Sequence, residues 1–177
     1  YTQRWIEIGE IRINDGEYVS TYGDADFDSS STEVEGKTPA NLADGDTKTA
    51  WQPQDNKGAL VYHVSEPIAE GGKVYSGVRI VSAGTPSNAK VTATVYTDAA
   101  YSKTADVELG TLNQPVSEFC FGTLTRAAGS TFSAVKNITI TWDGTAPQIA
   151  EFFLIDDANP ADTTALQAAI DELGGKD

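Results

Sequence analysis

Cysteine is almost absent. Cys120 is the only one in 177 residues, which excludes an intrachain disulfide framework and a thiolate metal cluster. It falls in the alternating stretch 116–121, where a lone thiol reads as a small core residue rather than a nucleophile. Histidine is equally scarce. His63, the single one, lies in the apolar stretch 60–64, and without a second histidine it makes neither a zinc centre nor a catalytic dyad. Basic residues number 12 against 26 acidic ones, for a net charge of −14. Binding to a phosphate backbone needs clustered positive charge, so nucleic acid and anionic membrane are excluded as partners. No apolar run approaches the length of a membrane helix, and no stretch of this segment reads as a signal peptide. Nor is there a glycine-rich phosphate loop, a nucleophile elbow or a helix-borne metal motif, so independent catalysis is not expected. The chain has no methionine and opens at Tyr1, and it reads as a segment of a longer protein.

What is present is β-like. Thr, Val, Ile, Tyr and Phe fall in short alternating runs separated by Gly, Asn, Asp, Ser and Pro. The pattern predicts strands over 5–13, 59–64, 75–82, 90–96, 105–109, 116–121, 136–142 and 149–155. About eight short strands without intervening helical periods define an all-β sandwich or barrel. The Ser-, Asp- and Thr-rich stretch 24–37 is expected to be a surface loop. Near the end the period changes: Leu166, Ala169, Ile170 and Leu173 share a helical face, with Asp162 or Thr163 as cap and Pro160 ahead. The expected organisation is an N-terminal strand over 1–17, possible tail of a preceding module, a sandwich over 18–157, and a linker and short helix over 158–177. An echo between 9–13 and 150–154 fits either a tandem array or chance alternation.

The most specific stretch is 41–51, Asn-Leu-Ala-Asp-Gly-Asp-Thr-Lys-Thr-Ala-Trp. Short oxygen-bearing side chains around a glycine let carbonyls and carboxylates converge, as a calcium ion with six to eight oxygen ligands requires. The spacing is not that of an EF-hand, and the alternative reading is a plain turn leading into a strand.

This motif resembles the Asp-Gly-Asp-x-x-Thr-x-Trp signature of discoidin-type, or galactose-binding-like, domains, which include the coagulation factor C domains and the family 32 carbohydrate-binding modules. The resemblance implies a jelly-roll β-sandwich and one structural calcium. By that pattern the ligands are the Asn41 carbonyl, the Asp44 carboxylate, the Asp46 carbonyl and Thr49, completed near the last strand by the Ala150 carbonyl and the Glu151 carboxylate. A saturated shell of this kind leaves no open position for catalysis.

The resemblance also implies a sugar site in the loops between strands. Such sites combine an aromatic face with a few polar groups. The family offers an Arg and an Asn after the strand at 78–81; here Asn88 matches and the Arg is missing. The other candidates are Tyr22, Phe27, Gln52, Tyr101 and Arg126, with Trp51 and Trp142 weighed as packing residues. The implied role is a non-catalytic accessory module of a secreted or cell-surface bacterial glycoside hydrolase of the hexosaminidase or hyaluronidase type. It would be monomeric, contact neighbouring modules of its own chain, and bind a glycan such as terminal galactose or an N-acetylhexosamine. The competing role is a structural spacer with a degenerate sugar site. Exposed aromatics clustered at one end of the sandwich would favour the first role, and small residues such as Ala83, Gly84 and Ser87 filling that end would favour the second.

Overall fold

The computed structural model describes residues 17–19, 26–64, 75–98, 100–120 and 134–156. The expected strand at 5–13 and the helix at 162–173 lie outside these residues. Nine strands are described: β1 (Glu17–Val19), β2 (Phe27–Ser29), β3 (Lys57–His63), β4 (Tyr75–Ser82), β5 (Lys90–Tyr96), β6 (Thr104–Thr111), β7 (Val116–Cys120), β8 (Ala134–Asp143) and β9 (Ile149–Asp156). They form two antiparallel sheets, one ordered β1-β9-β4-β7 and the other β2-β3-β8-β5-β6. The chain crosses repeatedly from one sheet to the other, so each sheet is built from strands distant in sequence.

The alternation that predicts the strands also supplies the core. Along β5 the residues Val91, Ala93 and Val95 are buried between exposed or half-exposed neighbours. Leu60 and Tyr62 on β3 pair with Ile140 and Ile138 on β8 and face the same interior. From the opposite sheet Val78, Ile80, Phe152 and Leu154 meet them, each with about 1% exposure or less. Period-two burial of this kind holds register, because a slip by one residue would turn every apolar side chain to solvent.

The stretch 24–37 departs from the expected loop. It contains β2, which pairs with β3 in the register Phe27↔Tyr62 to Ser29↔Leu60. Phe27 is 6% exposed, packing on Tyr62 and Phe152 with ring centroids 5.1 and 5.4 Å away. A three-residue edge strand needs only one inward side chain, and one phenylalanine among Ser and Asp is too weak a pattern to signal it. Its neighbours are also structural. Ser31 is buried, and its hydroxyl accepts the Asp55 N–H at 3.0 Å and donates to the Thr32 carbonyl.

Among the described residues four irregularities interrupt the ladders. On β9 the register passes from Val81↔Glu151 to Ser82↔Ile149. Ala150 therefore has no opposite residue, which is a β-bulge.

Candidate functional site

Because neighbouring strands run antiparallel, the starts of β3, β5, β7 and β9 and the ends of β4, β6 and β8 gather at one end of the sandwich. Two polar features lie there.

The first is the stretch 41–51 against the start of β9. Trp51 exchanges two backbone hydrogen bonds with Ile149, at 2.8 and 3.0 Å, which seats the loop beside Ala150 and Glu151. A 3-10 turn over Pro39–Leu42 leads into it, and Leu42 is fully buried. The Asn41 side chain donates to the carbonyls of Gly36 and Ala50, so its amide braces the loop. Gly45 adopts φ +75°, a left-handed conformation that suits glycine. Asp44 Oδ1 accepts the Asp46 N–H at 2.8 Å, and Asp46 Oδ1 accepts that of Lys48 at 3.0 Å.

Thr49 Oγ1 lies 2.6 Å from Asp44 Oδ2 and 2.8 Å from the Asp46 carbonyl oxygen. A hydroxyl has one proton, so it donates to only one of these acceptors. The second short O···O contact has no proton between its atoms. Hydrogen bonds from Thr49 and from the Asp46 amide hold the Asp44 carboxyl below the usual carboxylate range.

Glu151 is the unusual member. It is 1% exposed, and neither carboxyl oxygen has a well-formed hydrogen bond, though the Gly45 amide and the Asp44 carboxyl approach it. Burial first, and then the negative charge of Asp44, push its pKa up to about 7, against a downward pull from the Gly45 amide. A buried carboxyl with both oxygens unpaired is costly unless something compensates it. Thus the structure brings Asp44, Asp46 and Thr49 together through direct contacts, and places Glu151 within electrostatic reach of both aspartates. Among the described residues no three His, Cys, Asp or Glu side chains form a metal-binding group. The set here offers two carboxylates, and its other oxygens are carbonyl and hydroxyl.

The second feature is a pocket of about 700 Å³ whose wall includes Asn88, Ser87, Lys57, Lys90, Asp143 and Trp142. Asn88 has φ +59°, a left-handed conformation that asparagine tolerates better than most residues. Its amide donates to the Leu112 carbonyl at 3.0 Å, which fixes the loop end against β6. Lys57 pairs with Asp143 at 2.7 Å, and this contact raises the Lys57 pKa. Lys90 pairs with Glu108 at 2.6 Å. Trp142 is only 5% exposed; its indole donates to the Asp55 carbonyl and meets the Trp51 ring edge-on at 5.8 Å.

The other candidates among the described residues do not join Asn88 in this pocket. Phe27 is buried in the core, which removes it as a ligand contact. Tyr101 sits in the β5–β6 turn, packed edge-on against Tyr96, at the far end of β5, about 20 Å from Asn88 at the rise of an extended strand. Gln52 Oε1 accepts from Lys37 Nζ at 2.7 Å and ties two loops together. Tyr22 and Arg126 lie outside the described residues. Sequence reasoning missed Lys57, Lys90, Asp143 and Trp142 as pocket residues. They stand at strand ends, where alternation carries no sign of what faces a shared cavity.

Two antiparallel sheets in this order, with the loop at 41–51 locked to the last strand, form a β-sandwich whose fold is that of family 32 carbohydrate-binding modules. Solved structures bear out that fold. The module CpGH89CBM32-4 of Clostridium perfringens, solved with GlcNAc-α-1,4-galactose, matches with a TM-score of 0.53 and 13% identity, over 78% of this chain and 94% of its own. A variant of chitosan-binding module 1 from the chitosanase/glucanase of Paenibacillus sp. IK-5 matches with a TM-score of 0.50 and 11% identity, over 73% of this chain and 92% of its own. No family profile matches the sequence, and no curated protein matches it.

Proposed function

We propose that this chain is a non-catalytic carbohydrate-binding module of a larger secreted or surface-attached bacterial glycoside hydrolase, and that its glycan sits in the pocket beside Asn88. The observation that carries this reading is the pocket itself: about 700 Å³ with both polar and apolar lining, within the usual size of small-ligand sites, and formed where the Asn88 loop meets the ends of β3 and β8 in a fold that sugar-binding modules share. Isothermal titration against neutral and acidic oligosaccharides, with Asn88→Ala as control, tests it. Binding at millimolar concentration or tighter that Asn88→Ala weakens supports the reading; no binding to any sugar defeats it.

A calcium ion belongs to the same proposal. The unpaired oxygens of Glu151 and the protonless contact at Thr49 fit a hard cation that accepts oxygen ligands from carboxylate, carbonyl and hydroxyl groups. Asp44, Glu151, Thr49 and the carbonyls of Asn41, Asp46 and Ala150 would hold it. Ala150, unpaired at its bulge, is free of the regular ladder to β4. The ion would supply charge compensation and a cross-link, not catalysis.

One observation favours the second reading, a structural spacer. Among the described residues the only large hydrophobic side chain that stands exposed is Val116, so no open aromatic face from them stands at the pocket for a sugar ring. The same titration separates the two.

A further inference from the structure

The next inference rests on the pocket being the sugar site. We propose that the sugar it takes is acidic, a saccharide bearing a carboxylate or sulfate group held by Lys57 and Lys90.

Neutral sugars gain much of their affinity by laying the apolar face of the ring on an aromatic side chain. This pocket offers little of that. Its aromatic wall, Trp142, is buried to 5% exposure, with its ring against Trp51 and over Gly58. The aromatic contribution is therefore small, and the charged groups on the wall are two lysines and one aspartate. On the wall itself that is two positive charges against one, with Glu108 beside Lys90 as a second carboxylate, in a chain whose net charge is −14.

Register shows how the lysines are placed. Lys57 on β3 lies opposite Asp143 of β8, and Lys90 on β5 lies opposite Thr141 of β8. Thr141 and Asp143 are two residues apart, so both lysines leave the same outer face of the sheet and straddle β8. Two strand spacings and one two-residue step separate their backbones by roughly 12 Å, which flexible lysine side chains can close around a group between them. Each ammonium already meets a carboxylate of this chain, Asp143 or Glu108. These contacts use side chains 50–77% exposed. An ammonium has three N–H donors, and an incoming acid group can share or replace an exposed pair, which is weak in water.

The partner carboxylates give a test whose signs differ. The full chain, in buffer containing calcium, is titrated with trigalacturonate, with a 6-O-sulfated N-acetylglucosamine disaccharide, and with neutral N-acetyllactosamine, and thermal melts verify that each variant folds. At least one acidic sugar is expected to bind about tenfold tighter than the neutral one and to weaken as salt rises. Lys57→Gln and Lys90→Gln should each weaken it by about fivefold or more. Asp143→Asn, which removes the internal competitor, should tighten it by about twofold. The two acidic probes separate carboxylate from sulfate recognition. If the neutral sugar binds as well as either acid, or the lysine variants bind the acid unchanged, the acidic assignment falls and the sugar site stands. If no sugar binds at all, both fall and the spacer reading replaces them.

Discussion

Glu151 concentrates the physical tension in this molecule. Without a cation its carboxyl, held to a pKa of about 7 mainly by burial, keeps a proton that the unfolded chain releases near the ordinary value of 4.5. Folding then takes up a proton between those values, so this contribution is fully present below about pH 4.5 and is lost as pH rises through about 7. Urea unfolding in chelator should show stability falling by about 3 kcal/mol across that window. Glu151→Gln should flatten the profile and make the calcium-free protein more stable at pH 8, because a neutral amide is easier to bury than a charge. The same substitution should abolish any calcium-induced rise in melting temperature. The two core tryptophans offer a second contrast at this scale. Trp142 Nε1 donates to Asp55, whereas Trp51 Nε1 is buried without a partner. Trp142→Phe therefore strands an acceptor as well as losing volume, and it should destabilise by about 1 kcal/mol more than Trp51→Phe in denaturant melts.

At the scale of elements, the strands were legible wherever alternation ran for several residues. β4 and β5 occupy the expected 75–82 and 90–96, and β8 extends its expected range by two residues at the start and one at the end. β2 was not legible, since its pairing is decided by β3 and its burial by Phe152 in the other sheet. Close approach between strands was likewise hidden in the sequence. Gly77 on β4 faces Cys120 of β7 in the ladder, and a Cβ built there would stand 2.5 Å from the Phe119 carbonyl oxygen. Backbone cannot yield as a flexible side chain does, so Gly77→Ala should cost about 2 kcal/mol or more in a thermal or urea melt. Gly45→Ala meets no atom within 4 Å. Its penalty is conformational alone, about 1 kcal/mol.

For the whole molecule, a cation between the loop at 44–49 and Glu151 would join segments about a hundred residues apart and bind only the folded chain. Calcium at about a hundred times its dissociation constant should raise stability by about 3 kcal/mol, or about 5–10 °C in melting temperature, and chelator should reverse it. A melt that ignores both would remove the ion from this account. From the sequence alone came the all-β class and both halves of the acidic constellation, because alternation and short motifs are properties of neighbouring residues. Tertiary structure decided the rest. It put Phe27 in the core, carried Tyr101 to the far end from Asn88, and assembled a pocket from Lys57, Lys90, Asp143 and Trp142. Those four stand on three strands that meet only once the sheet has formed, and no local pattern records which strand ends will share a face.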